Sequence, residues 1–225
     1  YLPAGPGPHP SVILIHGGGF LIGTRTMKPI RYLATRLVQA GFAVAAPDYR
    51  LLFQGGALEE AVEDVSEAFK WWRAQADTYQ LDPERISTIG LSAGATLMWL
   101  ALSRKALHPS RVVSFFGLYD FSWLSGPRAH LLRRFLLRSP DLASCQSRSP
   151  MSQVELAAPV LLVHGDQDTL TPIEHAREMQ ALRERAGLRT ELDVIAGARH
   201  GFLNNAKDPV CEPCITRVLN FLKGD

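Results

Sequence analysis

The chain has 225 residues, of which 46% are hydrophobic and 20% charged, and its formal net charge is +2. This composition predicts a soluble domain that buries a sizeable core. The near balance of charge gives no electrostatic reason to expect nucleic acid or an anionic membrane as a partner, and no apolar run reaches transmembrane length.

Short β-rich runs alternate with longer helical patterns from one end of the chain to the other. Continuously apolar runs of strand length, separated by helices, are typical of a mostly parallel sheet with helices on both faces. We therefore predict a single α/β domain over residues 1–225. The predicted strands are residues 11–15, 42–47, 85–90, 111–117, 159–164 and 190–195.

Two helices carry clear signals. Residues 57–72 have an apolar stripe at helical spacing, with carboxylates on the opposite side. Thr171 to Glu174 has the pattern of a capping box with proline at the first helical position, and Gly187 is placed to close that helix. The stripe consists of Leu58, Ala61, Val62, Val65, Phe69 and Trp72.

The region from 121 to 154 is irregular and interrupts the alternation of strands and helices. Residues 127–139 within it have the pattern of an amphipathic helix with an arginine face. We predict an insertion or cap above the sheet, and a basic face of this kind is more often solvated than a binding patch.

The three cysteines are Cys145, Cys211 and Cys214, and the last two have the spacing of a redox motif or of half a zinc site. No second C-x-x-C or histidine pair completes such a site. We expect inert thiols near a terminal helix and no bound metal. Unpaired thiols favour a reducing compartment, and hence a cytoplasmic location.

Four predicted strands end in residues that are capable of chemistry. In open parallel sheets, ligands bind outside the carboxyl ends of the strands, so these segments should converge on one rim. They are His16–Phe20, Gly90–Gly94, His164–Asp168 and Ala198–Phe202.

Ser92 stands at the corner of the second segment, between Gly90 and Gly94. Glycines on both sides allow a sharp strand-to-helix turn, which pushes the serine hydroxyl into the cleft at a helix N-terminus. Taken alone, the motif is equally consistent with a serine that merely caps the helix.

Downstream residues favour a nucleophile over a cap. A serine hydroxyl needs a base near neutral pH, and His200 follows the last strand beside a glycine. The imidazole needs a carboxylate to orient it, which Asp168 or Asp166 supplies after the preceding strand. The chain order Ser, Asp, His differs from the trypsin-like and subtilisin-like orders.

Three consecutive glycines, Gly17 to Gly19, follow the first strand. They pack nothing and add conformational entropy to the unfolded chain, so stability does not explain them. Their amides, with that of Ala93, are suited to hold a developing oxyanion. A phosphate-binding turn is the alternative, but neither glycine-rich nucleotide motif is completed here.

The motifs HGGGF, DYRL, GLSAG, HGDQD and GARHGF, in this order, resemble the α/β-hydrolase fold. Within it they are similar to the hormone-sensitive-lipase-like family of carboxylesterases. The resemblance implies that Ser92 is the nucleophile, His200 the base and Asp168 the acid. It favours Asp168 over Asp166, which becomes a turn residue, because the family's acid usually stands three residues after the glycine of the His-Gly pair.

The same resemblance implies that Gly18, Gly19 and Ala93 donate to the oxyanion and that Gly17 shapes the turn. We expect the aromatic side chains of Phe20 and Trp123 to line the substrate pocket. We expect four other residues to be structural: His16, Asp48, His164 and Trp99.

Two departures from the family pattern concern the substrate pocket. Family members generally carry a cap and two opening strands before HGGG, whereas ten residues precede Ser11 here, and YLPAG resembles only the tail of the second strand. We expect the first strands to be missing or truncated, which would leave a free sheet edge and make a homodimer possible. Residues 50–56 replace the family's RLAPE, so the acyl-chain preference stays open.

These features predict hydrolysis of a small carboxylic ester, with a short acyl chain, through an acyl-enzyme and without a cofactor. The same triad also suits an amidase or formamidase and a deacetylase of sugars or steroids. A non-catalytic ligand receptor is a further alternative, although such a protein is expected to lose the base or the nucleophile. An epoxide-hydrolase-like or dehalogenase-like enzyme would need an aspartate where Ser92 stands.

Overall fold

The computed structural model describes residues 1–104, 107–124, 126–138 and 141–224. The strands are β1 (His9–Ile15), β2 (Ala43–Ala45), β3 (Leu81–Leu91), β4 (Val112–Phe115), β5 (Val160–Gly165) and β6 (Thr190–Ile195). The α-helices are α1 (Lys28–Gln39), α2 (Leu58–Ala74), α3 (Ala76–Tyr79), α4 (Ala93–Arg104), α5 (Gly126–Leu131), α6 (Leu142–Ser147), α7 (Glu174–Arg185) and α8 (Cys211–Lys223). Within the described ranges, no helix combines the length and the apolar character needed to cross a membrane.

The strands form one sheet in the order β2-β1-β3-β4-β5-β6, and every neighbouring pair is parallel. All six predicted strands are confirmed, as is the mostly parallel sheet. The largest change is in β3, which begins at Leu81 rather than at residue 85. Because the strands run the same way, all their carboxyl ends lie along one edge of the sheet.

Side chains of the strands alternate between two apolar layers, one on each face of the sheet. On β1, Ile13 and Ile15 join the layer that holds α2 and α4, whereas Val12 and Leu14 join the layer beneath α1 and α8. Helix α4 lies directly against the sheet, and its residues from Ala93 to Leu102 are all buried. The continuous apolar runs of the sequence are therefore explained by burial on both faces.

The predicted stripe on α2 is confirmed, since all six of its members are buried. Its last residue, Trp72, also donates from Nε1 to the hydroxyl of Ser11 on β1 at 3.0 Å. This bond satisfies a buried indole N–H and ties the helix to the first strand.

The capping box predicted at the start of α7 is wrong. The helix begins at Glu174, and no side chain caps its first turn. Thr171 turns its hydroxyl away from the helix, toward Asp168 at 3.0 Å. The predicted end is confirmed: Gly187 has φ +72° and follows the last turn, a conformation that glycine adopts without strain.

The segment 121–154 consists of short helical pieces. They are a 3₁₀ turn (Phe121–Trp123), α5, a π-helical turn (Leu132–Leu136), α6 and a second 3₁₀ turn (Pro150–Ser152). Residues 125, 139 and 140 of this segment lie outside the described residues. Three of its arginines are held by the protein: Arg133 and Arg148 donate to backbone carbonyls, and Arg138 pairs with Glu60 at 2.9 Å.

The first residue lies against the outer edge of β2. The terminal amino group of Tyr1 donates to the carbonyl of Val44 at 3.0 Å, and the N–H of Val44 donates to the carbonyl of Tyr1 at 2.8 Å. This reciprocal exchange is the pattern of an antiparallel pair. It lies where the resemblance put the tail of an opening strand.

All three cysteines are buried and reduced. Burial raises the pKa of Cys145, Cys211 and Cys214, so each is held as the neutral thiol. Neutral buried thiols are poor nucleophiles and poor metal ligands. That these thiols are inert stays a prediction.

Candidate active site

Ser92 occupies a strained corner between β3 and α4. Its φ is +52°, in the left-handed region that residues with a Cβ rarely adopt. Gly90 and Gly94 permit this bend, because a Cβ on Gly90 would press on the backbone of Ala95 and one on Gly94 would press on the carbonyl of His16. The serine hydroxyl is thereby lifted out of the backbone toward the carboxyl edge of the sheet.

Three side chains that are far apart in the sequence form a hydrogen-bonded chain at this edge. The Oγ of Ser92 lies 2.9 Å from Nε2 of His200, which is 108 residues further along the chain. The Nδ1 of His200 lies 2.7 Å from Oδ2 of Asp168. Phe116 packs edge-on against the imidazole, with 4.9 Å between the ring centroids. The arrangement is that of a nucleophile, a base and an orienting carboxylate.

Asp168 is buried and surrounded by donors. Its Oδ1 accepts the N–H groups of Leu170 and Thr171, both at 2.9 Å, and its Oδ2 lies 3.0 Å from the hydroxyl of Thr171 and 3.3 Å from Nε2 of His164. Burial alone would raise the pKa of Asp168, but the bonds from His164, His200 and the Thr171 N–H outweigh it. They hold the pKa well below its usual range, so the carboxylate is an anion at neutral pH.

Asp166 does not contact His200 and has a different position. Its Oδ1 accepts the N–H of Gly197 at 2.7 Å, which ties the loop after β5 to the loop after β6. Gly165 lets these loops approach closely, because a Cβ there would press on the carbonyl of Ala198. Of the two candidate carboxylates, Asp168 is the one beside the imidazole.

The glycine loop after β1 lies directly opposite Ser92. Gly17 packs against the backbone at Leu91, so a Cβ at residue 17 would lie 2.9 Å from the Leu91 carbonyl oxygen. Gly18 and Gly19 have φ values of +125° and +62°. A side chain on Gly18 would also meet the carbonyl of Ile22. Gly17 therefore allows the loop to approach the serine, and the positive φ values of Gly18 and Gly19 are ones that glycine adopts without strain.

His16 and its neighbours support the glycine loop from below. The Nδ1 of His16 lies 2.8 Å from the carbonyl of Gly17, and its ring stacks on Tyr49 with centroids 4.2 Å apart. Burial lowers the pKa of His16, which keeps the imidazole neutral. Asp48 pairs with Arg25 at 2.9 Å. These contacts are those of a scaffold.

A cavity of about 640 Å³ opens above the serine. Phe20 and Trp123 both line it, whereas Trp99 is buried in the core and donates to the carbonyl of Gln153 at 3.1 Å. The other walls are mostly apolar and include residues of the segment 121–154. The cavity also borders the predicted site residues Gly17, Gly18, Gly19, Ser92, Ala93 and His200.

Two polar residues of the site, His175 and Thr171, were not predicted as site residues from the sequence. His175, in the first turn of α7, lines the cavity beneath Trp123, with ring centroids 4.3 Å apart. Burial lowers its pKa to about 4, so it is neutral near pH 7. No sequence pattern marks His175, whereas Thr171 had a signal that was read as a helix cap.

Residues 1–182 of the chain match the BD-FAE family. Esterase LipC of Mycobacterium tuberculosis is 30% identical over 221 residues, which cover 87% of this chain and 53% of LipC. A probable isoprenylcysteine alpha-carbonyl methylesterase of Oryza sativa subsp. japonica is 26% identical, over 89% of this chain and 54% of the relative. The chain thus spans about half the length of these two relatives.

Among solved structures, an esterase of Thermogutta terrifontis with butyrate bound superposes with a TM-score of 0.83 at 23% identity. The superposition covers 100% of this chain and 87% of that one. This likeness extends over the whole chain and shows that the two proteins share the α/β-hydrolase fold.

Proposed function

This chain belongs to the BD-FAE family, and on that premise we propose that it is a serine hydrolase that cleaves carboxylic esters. The observation that carries the proposal is the continuous hydrogen-bonded chain from the Ser92 hydroxyl through His200 to Asp168, facing an open cavity. The names of the esterase relatives support the same reaction class.

In the proposed first step, Ser92 attacks the ester carbonyl carbon while Nε2 of His200 takes the hydroxyl proton. The 2.9 Å separation allows this transfer directly. The anionic Asp168 stabilises the imidazolium that forms. The negative charge on the carbonyl oxygen is received by the backbone N–H groups of Gly18, Gly19 and Ala93.

The tetrahedral intermediate then collapses. The bond between the carbonyl carbon and the alkoxy oxygen breaks, and Nε2–H of His200 protonates the departing alcohol. Water next attacks the acyl-enzyme while His200 takes its proton. A second collapse breaks the bond to Ser92, returns the proton to Oγ and releases the carboxylic acid. Side chains of this chain and water carry every proton in the cycle.

For the substrate, we propose a small, uncharged ester with a short acyl chain. The cavity walls are mostly apolar, and the carboxylate of Asp168 is hydrogen-bonded to His200 and is not among the lining groups. The Thermogutta esterase was solved with butyrate and with propionate bound, which supports short acyl groups in this fold. We propose that the segment 121–154 acts as a cap, since Trp123, Leu124 and Leu132 form one wall of the cavity.

The decisive experiment replaces Ser92 with alanine and measures hydrolysis of p-nitrophenyl acetate. We expect kcat to fall by on the order of 10⁴-fold or more, because only the oxyanion donors and substrate binding remain. Ser147→Ala is the matched control, because that serine is exposed on α6 and should leave the rate unchanged. An undiminished rate in Ser92→Ala would refute the proposal.

A fluorophosphonate probe separates an enzyme from a receptor with the same fold. The probe should label the wild-type protein at Ser92 and leave Ser92→Ala unlabelled. Absence of labelling in the folded wild-type protein would favour the receptor. A series of p-nitrophenyl esters from acetate to laurate then tests acyl preference, and we expect kcat/KM to decline toward the longer chains.

A further inference from the structure

We propose that Thr171 is a positioning residue of the triad, whose hydroxyl holds the Asp168 carboxylate and the His200 ring in a fixed relation. The inference rests on the proposed function, because it assigns Thr171 a part in the same proton transfer. Nothing in the motifs or the resemblance to known families singled this residue out for the site.

The hydroxyl of Thr171 lies between the base and the acid. Its Oγ1 is 3.0 Å from Oδ2 of Asp168, 3.1 Å from Nδ1 of His200 and 3.2 Å from the carbonyl of Phe116. Asp168 and His200 are 2.7 Å apart, so the three side chains form a closed triangle. Thr171 is thus in contact with both partners of the hydrogen bond that orients the imidazole.

The backbone of Thr171 is held on both sides, which makes the hydroxyl a fixed group. Its N–H donates to Oδ1 of Asp168 at 2.9 Å, and its carbonyl lies 2.7 Å from Nε2 of His164. His164 is fully buried and is also 3.3 Å from Asp168. Both contacts therefore fix the position of Thr171 relative to the Asp168 carboxylate, one of them directly and the other through His164.

The hydrogens on His200 Nδ1 and on the Thr171 hydroxyl decide which atom donates in each contact. When Nε2 of His200 accepts the proton of Ser92, Nδ1 already carries a hydrogen, so Thr171 can only accept from that atom. The single hydroxyl proton of Thr171 is then free to point at Oδ2 of Asp168 or at the Phe116 carbonyl. Donation to Oδ2 offsets part of the carboxylate charge, and acceptance from Nδ1–H of His200 keeps the ring from swinging about its bond to Asp168.

If Thr171 served only to cap α7, its hydroxyl would bond the first turn of that helix. The sequence pattern predicts that Thr171 caps α7, yet no side chain caps this helix. The bonds of the hydroxyl instead join the loops after β4, β5 and β6, the three loops that carry Phe116, Asp168 and His200. The Thr171 hydroxyl therefore connects these three loops beside the proposed base, His200.

The test compares Thr171→Val, which is nearly isosteric and lacks the hydroxyl, with Thr171→Ser, which keeps it. For Thr171→Val we expect kcat to fall about tenfold with little change in KM, as for the loss of one hydrogen bond to a charged group. The acid limb of its kcat/KM profile should move to higher pH, because the less compensated carboxylate attracts the imidazolium proton more strongly. Thr171→Ser should restore both quantities.

The control is Thr216→Val, since Thr216 lies on α8 and bonds only its own helix. Thermal unfolding of each variant shows whether it is folded at the assay temperature. If Thr171→Val does not fold, Thr171→Ala replaces it in the comparison with serine. A valine or alanine variant with the wild-type rate and an unmoved acid limb, or a serine variant as slow as valine, would overturn the inference.

The wild-type protein and Ser92→Ala are assayed alongside and labelled with the fluorophosphonate probe. If the folded wild-type protein neither hydrolyses esters nor takes up the probe, the proposed function fails and this inference fails with it. If the wild-type protein is active and labelled while Thr171→Val matches it, the inference about Thr171 fails alone.

Discussion

At the scale of single residues, the strained turn at Ser92 explains why a small polar residue stands at so tight a bend. A left-handed backbone is unfavourable for any residue with a Cβ, by about 1 kcal/mol or more. The turn persists because α4 is packed against the sheet and because Gly90 and Gly94 allow the close approach. The geometry that projects the hydroxyl therefore carries a cost in stability.

This cost is measurable by comparing Ser92→Gly with Ser92→Ala. Both variants lose the hydroxyl and its bond to His200, but only glycine relieves the positive φ. We expect Ser92→Gly to be the more stable of the two by about 1 kcal/mol in denaturant unfolding, although both are inactive. Equal stabilities would show that the turn is not strained.

At the scale of elements, the loops after β5 and β6 are joined by hydrogen bonds that are separate from those of the triad. The N–H of Gln167 donates to the carbonyl of Ala198 at 3.0 Å, and Asp166 accepts the N–H of Gly197 at 2.7 Å. These bonds set the distance between the loop that bears Asp168 and the loop that bears His200. Asp166 was predicted to be a turn residue, and the structure shows that its carboxylate also links two loops.

Removing this link should loosen His200 without touching the triad. We expect Asp166→Ala to lower kcat by about threefold to tenfold, because loss of one hydrogen bond near 1 kcal/mol lets the ring leave its productive position. Hydrogen exchange at the Gly197 amide should become faster. Asp166→Asn keeps an acceptor oxygen and should retain most of the activity. A wild-type rate in Asp166→Ala would show that the loop is held by its other contacts.

At the scale of the whole molecule, the two apolar layers bury ionisable groups whose titration affects stability. His175, in the first turn of α7, is buried at the wall of the cavity, and burial, opposed by the nearby charge of Asp120, lowers its pKa to about 4. The unfolded chain, with a histidine pKa near 6.5, binds this proton more readily than the folded protein does. Stability therefore rises with pH between about 4 and 6.5 and is lost as the pH falls through that window.

The histidine contribution is separated by comparing the wild-type protein with His175→Gln. From pH 7 to pH 4 we expect the wild-type free energy of unfolding to fall by on the order of 2 kcal/mol more than that of the variant. Denaturant titrations at both pH values give the difference. Parallel losses in the two proteins would assign the acid sensitivity between these pH values to other groups.

The free edges of the sheet also belong to this scale. On β6, Glu191 pairs with Arg189 and Arg217, and charges of this kind discourage pairing with another chain. On the other edge, Tyr1 covers part of β2 through its bonds to Val44. A homodimer stays a prediction, which size-exclusion chromatography of the purified protein tests.

The strands, the α2 stripe, Ser92 and His200 could be read from the sequence, because local apolar patterns and motif order are properties of short segments. The residue pattern by itself left Asp168 and Asp166 both open. The structure was needed to show that Asp168 rather than Asp166 reaches His200, that Thr171 turns toward the triad instead of capping α7, and that His175 lines the cavity. These outcomes depend on contacts between loops that are distant in the sequence: Asp168 and His200 are 32 residues apart, and Thr171 and Phe116 are 55 residues apart. When a side chain has two possible hydrogen-bond partners, the one that it bonds is decided by which group the folded sheet brings within hydrogen-bonding distance.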